Sequence, residues 1–430
     1  MSKAMETCLL HIIVVAAEQH VKQLVEALEE GQDFEQVVAR VQAVSRACFA
    51  PVLTAMLESR RAESEEGKAC PQCGQKMGDK GEQERGMITP LGNVRWRRRY
   101  YYCKPCGQGH YPLDERWGIG AGQFTEAYQA GMTLLGASSS YGMASQLFER
   151  LTGVSVSDRE VGRTTVERGR CLEEERLREQ QVWLEQGPPA HSQAASGPWG
   201  CSLDAAKVRF RDGWHEVKGG IVYPLTGQQR QSYVVEVGSM EQAGQKLYAE
   251  VVRRGADPGR ERMVCIADGA PPNWTQFETH FAQREEILDW YHATQHLWAA
   301  AHGVYGAGTA EAATWEKQAE SALWAGHPQE VLALLNLAAQ QPKGQAAADE
   351  RHYFDVNQSR MRYQLYREQG YPIGSGRMES ACKQTIIARA RQAGMSWSKE
   401  GLQPVLTLRA ELLSGRFDQA WSLTRPSKAA

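Results

Sequence analysis

The chain has 430 residues, 42% of them hydrophobic, with 49 Lys and Arg against 51 Asp and Glu for a formal net charge of −2. That length is too great for one ordinary domain and points to about two to four, while the near-neutral balance neither announces nor excludes a nucleic-acid partner. Only four of the ten cysteines are grouped as pairs, which argues against a disulfide framework and suits reduced thiols in the cytoplasm, and no run reaches the ~18 apolar residues of a membrane span.

The apolar run 8–17 resembles a secretory signal core, but His11 interrupts it, Glu6 spoils the basic start, and an amphipathic helix continues through Val21, Leu24, Val25 and Leu28. From 18 to 61 the pattern stays helical. Asp33 is an N-cap candidate, Phe34, Val37, Val38, Val41 and Val44 form one apolar face, and Pro51 is expected to break or restart the helix. Residues 1–66 therefore read as a helical packing or dimerisation region.

Cys70-Pro-Gln-Cys73-Gly and Cys103-Lys-Pro-Cys106-Gly each have the form of a zinc knuckle, in which two thiolates grip an ion and the glycine allows a left-handed turn. Together they predict a zinc ribbon over 67–117 with one structural zinc ion, because four cysteines close the coordination shell. A redox motif would occur once, beside a βαβ unit. His110 could replace one ligand. The strand expected over 93–102 carries Arg95, Arg97, Arg98 and Arg99 with Trp96 and Tyr100 to Tyr102. These suit phosphate contact and base stacking, with a solvated strand face as the competing reading.

Over 118–186 the pattern predicts a helix-turn-helix. The first helix spans 142–151, Thr152-Gly153-Val154 makes the turn, and Ser157 or Asp158 caps the second helix. The buried seam would be Ala144, Leu147, Phe148, Leu151, Val154, Val156, Val161 and Val166. Arg159, Arg163, Thr164, Thr165 and Arg168 would point outward to DNA, although helical hairpins also form for packing alone. A charged helix (172–184) and a Pro/Gly/Ser-rich linker (187–200) follow.

From Cys201 three alternating strands (201–210, 214–224, 231–237), a helix (240–254) and an apolar strand ending at Asp268 predict a ribonuclease-H-like α/β domain over 201–303 and 370–422. In that arrangement Asp204 on the first strand and Asp268 on the fourth become neighbours. A further strand delivers Asp289 to the same edge, with His292 one helical turn beyond. Residues 304–369 read as an all-α insertion, after which Gly374-Ser-Gly opens a helix carrying Glu379, Lys383, Arg389 and Arg391. Phosphodiester chemistry needs the attacking oxygen activated and the leaving oxygen stabilised, and two divalent cations held by carboxylates do both. Asp204, Asp268 and Glu379 are the expected set.

These motifs resemble the DDE transposases of bacterial insertion sequences, specifically the ISKra-type group, and more distantly the Mutator-like transposases. The resemblance covers most of the chain. It rests on the paired C-x-x-C ribbon with Gly109-His-Tyr-Pro-Leu-Asp114, Ser139-Ser-Tyr-Gly-Met-Ala144, Leu203-Asp204, Gly213-Trp-His-Glu-Val-Lys-Gly219, Ala267-Asp268-Gly-Ala, Asp289-Trp-Tyr-His292, Gly374-Ser-Gly-Arg-Met-Glu379-Ser and Gly394-Met-Ser-Trp397. It implies that Asp204, Asp268 and Glu379 are catalytic and hold two Mg²⁺ or Mn²⁺, with Asp289 and His292 as an accessory motif. The implied partners are double-stranded DNA, both element ends and target, and further copies in a homodimer or larger assembly on DNA, in a cytoplasmic, nucleoid-associated protein. One departure stands out: Ala205 follows Asp204 where this group has Gly.

Competing readings are weaker. His292 and His296 are spaced for zinc, but the Glu of H-E-x-x-H is missing, and Gly118-Ile-Gly-Ala-Gly122 follows no clear strand. The main alternative is a non-enzymatic, sequence-specific zinc-ribbon and helix-turn-helix DNA-binding protein, such as a decayed or domesticated transposase.

Overall fold

The computed structural model describes residues 3–29, 33–59, 69–120, 122–189, 197–226 and 230–424. The chain is a mixed α+β protein that divides into two compact units, one of residues 1–132 with 148–154, the other of 133–147 with 155–424. Residues 425–430 of the expected tail and 190–196 of the expected linker lie outside the described residues.

In the first unit, α1 (Lys3–Glu29) packs on α2 (Phe34–Ser59). The Asp33 cap forms as expected: the Gln36 amide donates to Asp33 Oδ1 at 2.9 Å, and the Asp33 amide returns a bond to Gln36 Oε1. Pro51 does not break α2, which runs through it. Of the residues expected to form one apolar face, Phe34 is 78% exposed and Val41 46%, while Val37, Val38 and Val44 are half-buried. The strand expected between the cysteine pairs is half of a hairpin, β1 (Gly78–Thr89) with β2 (Gly92–Cys103), extended by β3 (Gln108–His110). On β2, Val94 and Trp96 turn inward to meet Leu57 of α2 and Leu113 of α3 (Pro112–Trp117).

Next come α4 (Glu126–Ser138), α5 (Tyr141–Thr152) and α6 (Asp158–Gln186). Ser157 caps α6 by accepting the Glu160 amide. Contrary to expectation, α6 is one 29-residue helix rather than a short recognition helix followed by a second. Its apolar face continues through the expected break, and Val161, Thr164, Thr165, Gly169 and Leu172 are all buried. At Gly169 an added Cβ would lie 2.4 Å from the Pro404 carbonyl oxygen, so only glycine lets α6 cross α16 (Lys399–Leu413) this closely.

The second unit is built on a five-stranded sheet in the order β6-β5-β4-β7-β8. These strands are β4 (Trp199–Phe210), β5 (Gly213–Pro224), β6 (Ser232–Glu236), β7 (Met263–Ala267) and β8 (Arg284–Leu288). Strands β4, β5 and β6 are antiparallel, whereas β7 and β8 run parallel to β4. The parallel step from β6 to β7 is made through α7 (Met240–Arg253), and that from β7 to β8 through α8 (Pro271–His280). Helices α7, α8 and α9 (Trp290–Tyr305) share one apolar core with β4, β7 and β8.

That core is continuous with α10 (Ala310–Trp324), α11 (Pro328–Ala339), α12 (Gln345–Val356) and α13 (Tyr363–Glu368). The all-α segment is therefore packed into the unit. A second core joins β4, β5 and β6 to α14 (Gly376–Cys382), a π-helical turn (Lys383–Ile387), α15 (Ala388–Ala390) and α16. The chain closes on α17 (Phe417–Leu423), which the sequence reading missed.

Candidate acidic site and cysteine cluster

In the first unit Cys70, Cys73, Cys103 and Cys106 converge, all four sulphurs lying within 4.8 Å of one another. Each knuckle closes the same way: Gly74 (φ +71°) donates to the Cys70 carbonyl and Gly107 (φ +66°) to that of Cys103. The Cys73–Cys103 and Cys70–Cys106 separations are 3.6 and 3.9 Å. A tetrahedral zinc with sulphurs at ~2.3 Å spaces them by roughly 3.8 Å, so the cluster fits such an ion. Without a cation the four cannot all ionise. Hydrogen bonding with Cys73, with burial and the other two thiols, pushes Cys106 up to about 12. His110 Nε2 stands 3.9 Å from the Cys70 sulphur, and its Nδ1 faces Glu115.

The arginines on β2 separate into two pairs. Arg95 and Arg97 are exposed. Arg98 instead bonds Asp114 and lies 3.5 Å over the Tyr111 ring, and Arg99 pairs with Asp79 at 2.6 Å. Trp96 and Tyr101 are buried and Tyr100 stacks on Tyr111, so these rings are not free to stack on bases. Strand alternation hid this, because the hairpin partner β1 was not recognised.

In the second unit the parallel register of β4 and β7 ends with Ser202 beside Ile266, so Asp204 and Asp268 follow two residues later on adjacent strands. The Asp268 Oδ1 accepts from the Ala270 amide and from Asn273 Nδ2. Its carbonyl accepts from the Tyr353 hydroxyl at 2.8 Å, and the Tyr353 ring occupies the space that a Cβ on Gly269 (φ +102°) would need. Asp204 accepts from the Ala205 amide. Burial chiefly, with the Asp268 and Glu379 charges, holds the Asp204 carboxyl above its ordinary value, against the opposing pull of that amide and of His292. Ala205 sits in extended strand, a backbone conformation that does not require Gly.

Glu379 reaches this region because α14 docks on the β4–β5 face. Gly219 pairs with Asp204 in register, and a Cβ there would come within 3.1 Å of Cys382 Sγ and Met378 Cε. The Glu379 side chain itself faces solvent and pairs with Lys383 at 2.7 Å. Among the described residues the three carboxylates do not come within 4.8 Å of one another as the cysteines do.

Asp289 is the best-anchored acid of the region, 1% exposed. It caps α9 through the His292 amide, holds His292 Nδ1 at 2.5 Å, and takes the Ser375 amide at 2.6 Å. Burial would raise its carboxyl, but these hydrogen bonds outweigh that and hold it low. His292 is raised, first by its bond to Asp289 and then, against burial, by the charges of Asp289, Asp268 and Asp204. The neighbouring His296 pairs with Glu350 at 2.5 Å and stacks on Tyr353.

Several expected DNA contacts are engaged elsewhere. Arg389 is fully buried: it donates to the Gly136 carbonyl and lies between the Tyr141 and Trp397 rings. Arg168 donates to the Thr424 carbonyl over Trp421, and Thr164 and Thr165 are buried in the helix seam. Arg159 is exposed, and Arg163 is exposed but paired with Glu160 and Glu167. Arg391 is exposed beside Trp214. Tyr353 and Asn273 were missed because no motif marks them, and Ser375, which lies in the Gly374-Ser-Gly motif, because it acts through its backbone amide rather than its side chain. Residues 27–186, which include the cysteine cluster and end before β4, match the model of UPF0236, an uncharacterised protein family, and the chain matches no curated protein.

Proposed function

We propose that this chain is a DDE-type DNA transposase, similar to the ISKra-type group, that binds element ends and cuts and joins DNA strands through a metal-dependent acidic site. One observation carries the reading: β4 and β7 run parallel in a register that sets Asp204 beside Asp268, while Gly219, paired with Asp204, seats the helix bearing Glu379. The sheet order, three antiparallel strands followed by two parallel ones, supports a ribonuclease-H-like domain.

The donor set fits Mg²⁺ or Mn²⁺. All three candidates are hard carboxylates, and Asp204 carries an electrostatic strain from burial and its acidic neighbours that a cation relieves. Asp204, Asp268 and Glu379 would hold the ions, which when bound activate the attacking oxygen and stabilise the leaving oxygen of a phosphodiester. Glu379 must first leave Lys383, which frees that ammonium for a phosphate. Asp289 acts as a positioning residue, tying the start of α9 to the loop that leads into α14. His292, its protonated form favoured, offers a positive charge next to the acids. Exposed Arg95, Arg97, Arg159 and Arg391 are the remaining candidates for backbone contact. The cysteine cluster would hold one structural zinc.

The test is strand cleavage and joining, with Mg²⁺ or Mn²⁺, on DNA taken from the sequence flanking the gene, comparing wild type with Glu379→Gln. Cutting by wild type alone supports the transposase. Binding without cutting by either protein favours the non-enzymatic DNA-binding reading, with which the solvent-facing Glu379 also agrees.

A further inference from the structure

The helix pair of the first unit carries apolar surface that nothing among the described residues covers. On α1, Ala16 is buried, while Leu10, Val14, Val21 and Val25 are 46–62% exposed. Their spacing of four, seven and four residues is that of a coiled-coil seam. On α2 a second stripe runs through Phe34, Val41, Phe49 and Met56, with exposures from 37% to 78%. Between Gln36 and Leu57 the exposed residues of α2 include no charged side chain. Two seams on one helix pair, each at heptad-like spacing, are what a helical bundle leaves when half of it is missing.

We propose that this surface is the contact between two copies of the chain, the α1–α2 pair of one protomer packing on that of the other as a four-helix bundle. The area agrees: the eight residues expose roughly 800 Å², about the ~800 Å² per partner of a stable interface of standard size. A two-fold contact also needs only one self-complementary patch, and these stripes provide it. A lipid surface is the other possible occupant, since α2 is long and apolar enough to cross a bilayer by length and composition. Arg40 and Arg46 keep the helix from being one unbroken apolar run, whereas its mean hydropathy averages over such isolated charges. The charges exposed along α1, at Glu6, Glu18, Lys22 and Glu26, suit the flanks of a bundle seam better than a bilayer interior. The inference is independent of the acidic site and of DNA.

Its test is the solution mass of the full chain, without DNA, by sedimentation equilibrium from 1 to 100 µM. The expected species has twice the 47.9 kDa chain mass. Two double variants, Val14→Glu with Val21→Glu and Val41→Glu with Phe49→Glu, place carboxylates in the seams. Each should raise the dimer Kd by roughly 100-fold or more, since every buried unpaired charge is costly. All four positions are exposed, so far-UV circular dichroism and zinc content should match wild type. A wild type that stays monomeric at 100 µM overturns the proposal whatever the variants do. So does a dimer that survives both double variants, or a monomer that floats with phosphatidylethanolamine–phosphatidylglycerol vesicles.

Discussion

Removing Asp289 tests how the acidic site is held together. The buried carboxylate accepts the Ser375 amide at 2.6 Å, the His292 amide at 3.1 Å and His292 Nδ1 at 2.5 Å. In Asp289→Ala the loss of the α9 cap costs about 1 kcal/mol, and a half-buried Ser375 N–H left without its acceptor adds about 1–3 kcal/mol. The His292 ring is nearly half exposed, so its ion pair adds little. The sum, about 2–4 kcal/mol, should appear as a lower urea midpoint for the second unit. Asp289→Asn keeps one acceptor for Ser375 and should lose about half as much.

The pH dependence of that loss has a defined sign. The Asp289 contribution is present above its unfolded value near 3.8 and disappears as pH falls through the lower folded value. The His292 contribution is complete below 6.5 and fades as pH rises through its raised folded value. The gap between wild type and Asp289→Asn should therefore be widest from pH 3.8 to 6.5. Hydrogen exchange supplies the decisive readout, because the Ser375 amide should lose protection. An Ala variant with the wild-type urea midpoint and a still-protected Ser375 amide would refute the clamp.

Asp204→Asn should stabilise the metal-free protein at pH 8, by up to about 1 kcal/mol, and do nothing below pH 3.8. A carboxyl held above its ordinary value penalises the folded state only once ionised, so an equal effect at both pH values would sink this account. Arg389→Ala should cost about 3 kcal/mol or more by leaving a buried carbonyl and two rings unpartnered, while exposed Arg391→Ala stays within about 0.5 kcal/mol; thermal melts of the two variants give the comparison. Gly219→Val should shift α14 at a cost of about 1–3 kcal/mol, abolishing any metal-dependent cutting more completely than DNA affinity; full cutting would show that α14 tolerates the added bulk. Cys70→Ser should lower bound zinc below one per chain, as measured by elemental analysis, and full zinc content would point to His110 as the replacement ligand.

Much of the scaffold could be read without coordinates because its signals are local. Two C-x-x-C-Gly turns, an alternating hairpin and an apolar strand ending in Asp-Gly each depend on residues a few positions apart, so spacing and backbone preference were enough to expect the knuckles and the strands, while the neighbouring of Asp204 with Asp268 was expected from the strand order. Signals that depend on a partner failed. Arg389, Arg98, Arg99 and Arg168 look alike in sequence as free cations, yet each is engaged by residues the sequence does not pair with it. The α6 stretch reads as two helices because charged residues interrupt, along the sequence, an apolar face that is continuous in space from Val161 to Leu172.

The sequence by itself determined the chemistry on offer, a four-thiol cluster and a set of acids of which Asp268 and Asp289 directly follow strands, because residue type and short-range backbone geometry decide both. Tertiary structure alone decided which groups work together. It set Gly219 opposite Asp204, put Tyr353 on the Asp268 carbonyl from 85 residues away, and gave the Ser375 amide to Asp289 across 86. It also left two apolar seams on α1 and α2 without a partner. Contacts over such separations follow from how elements pack, and packing is a property of the whole folded chain.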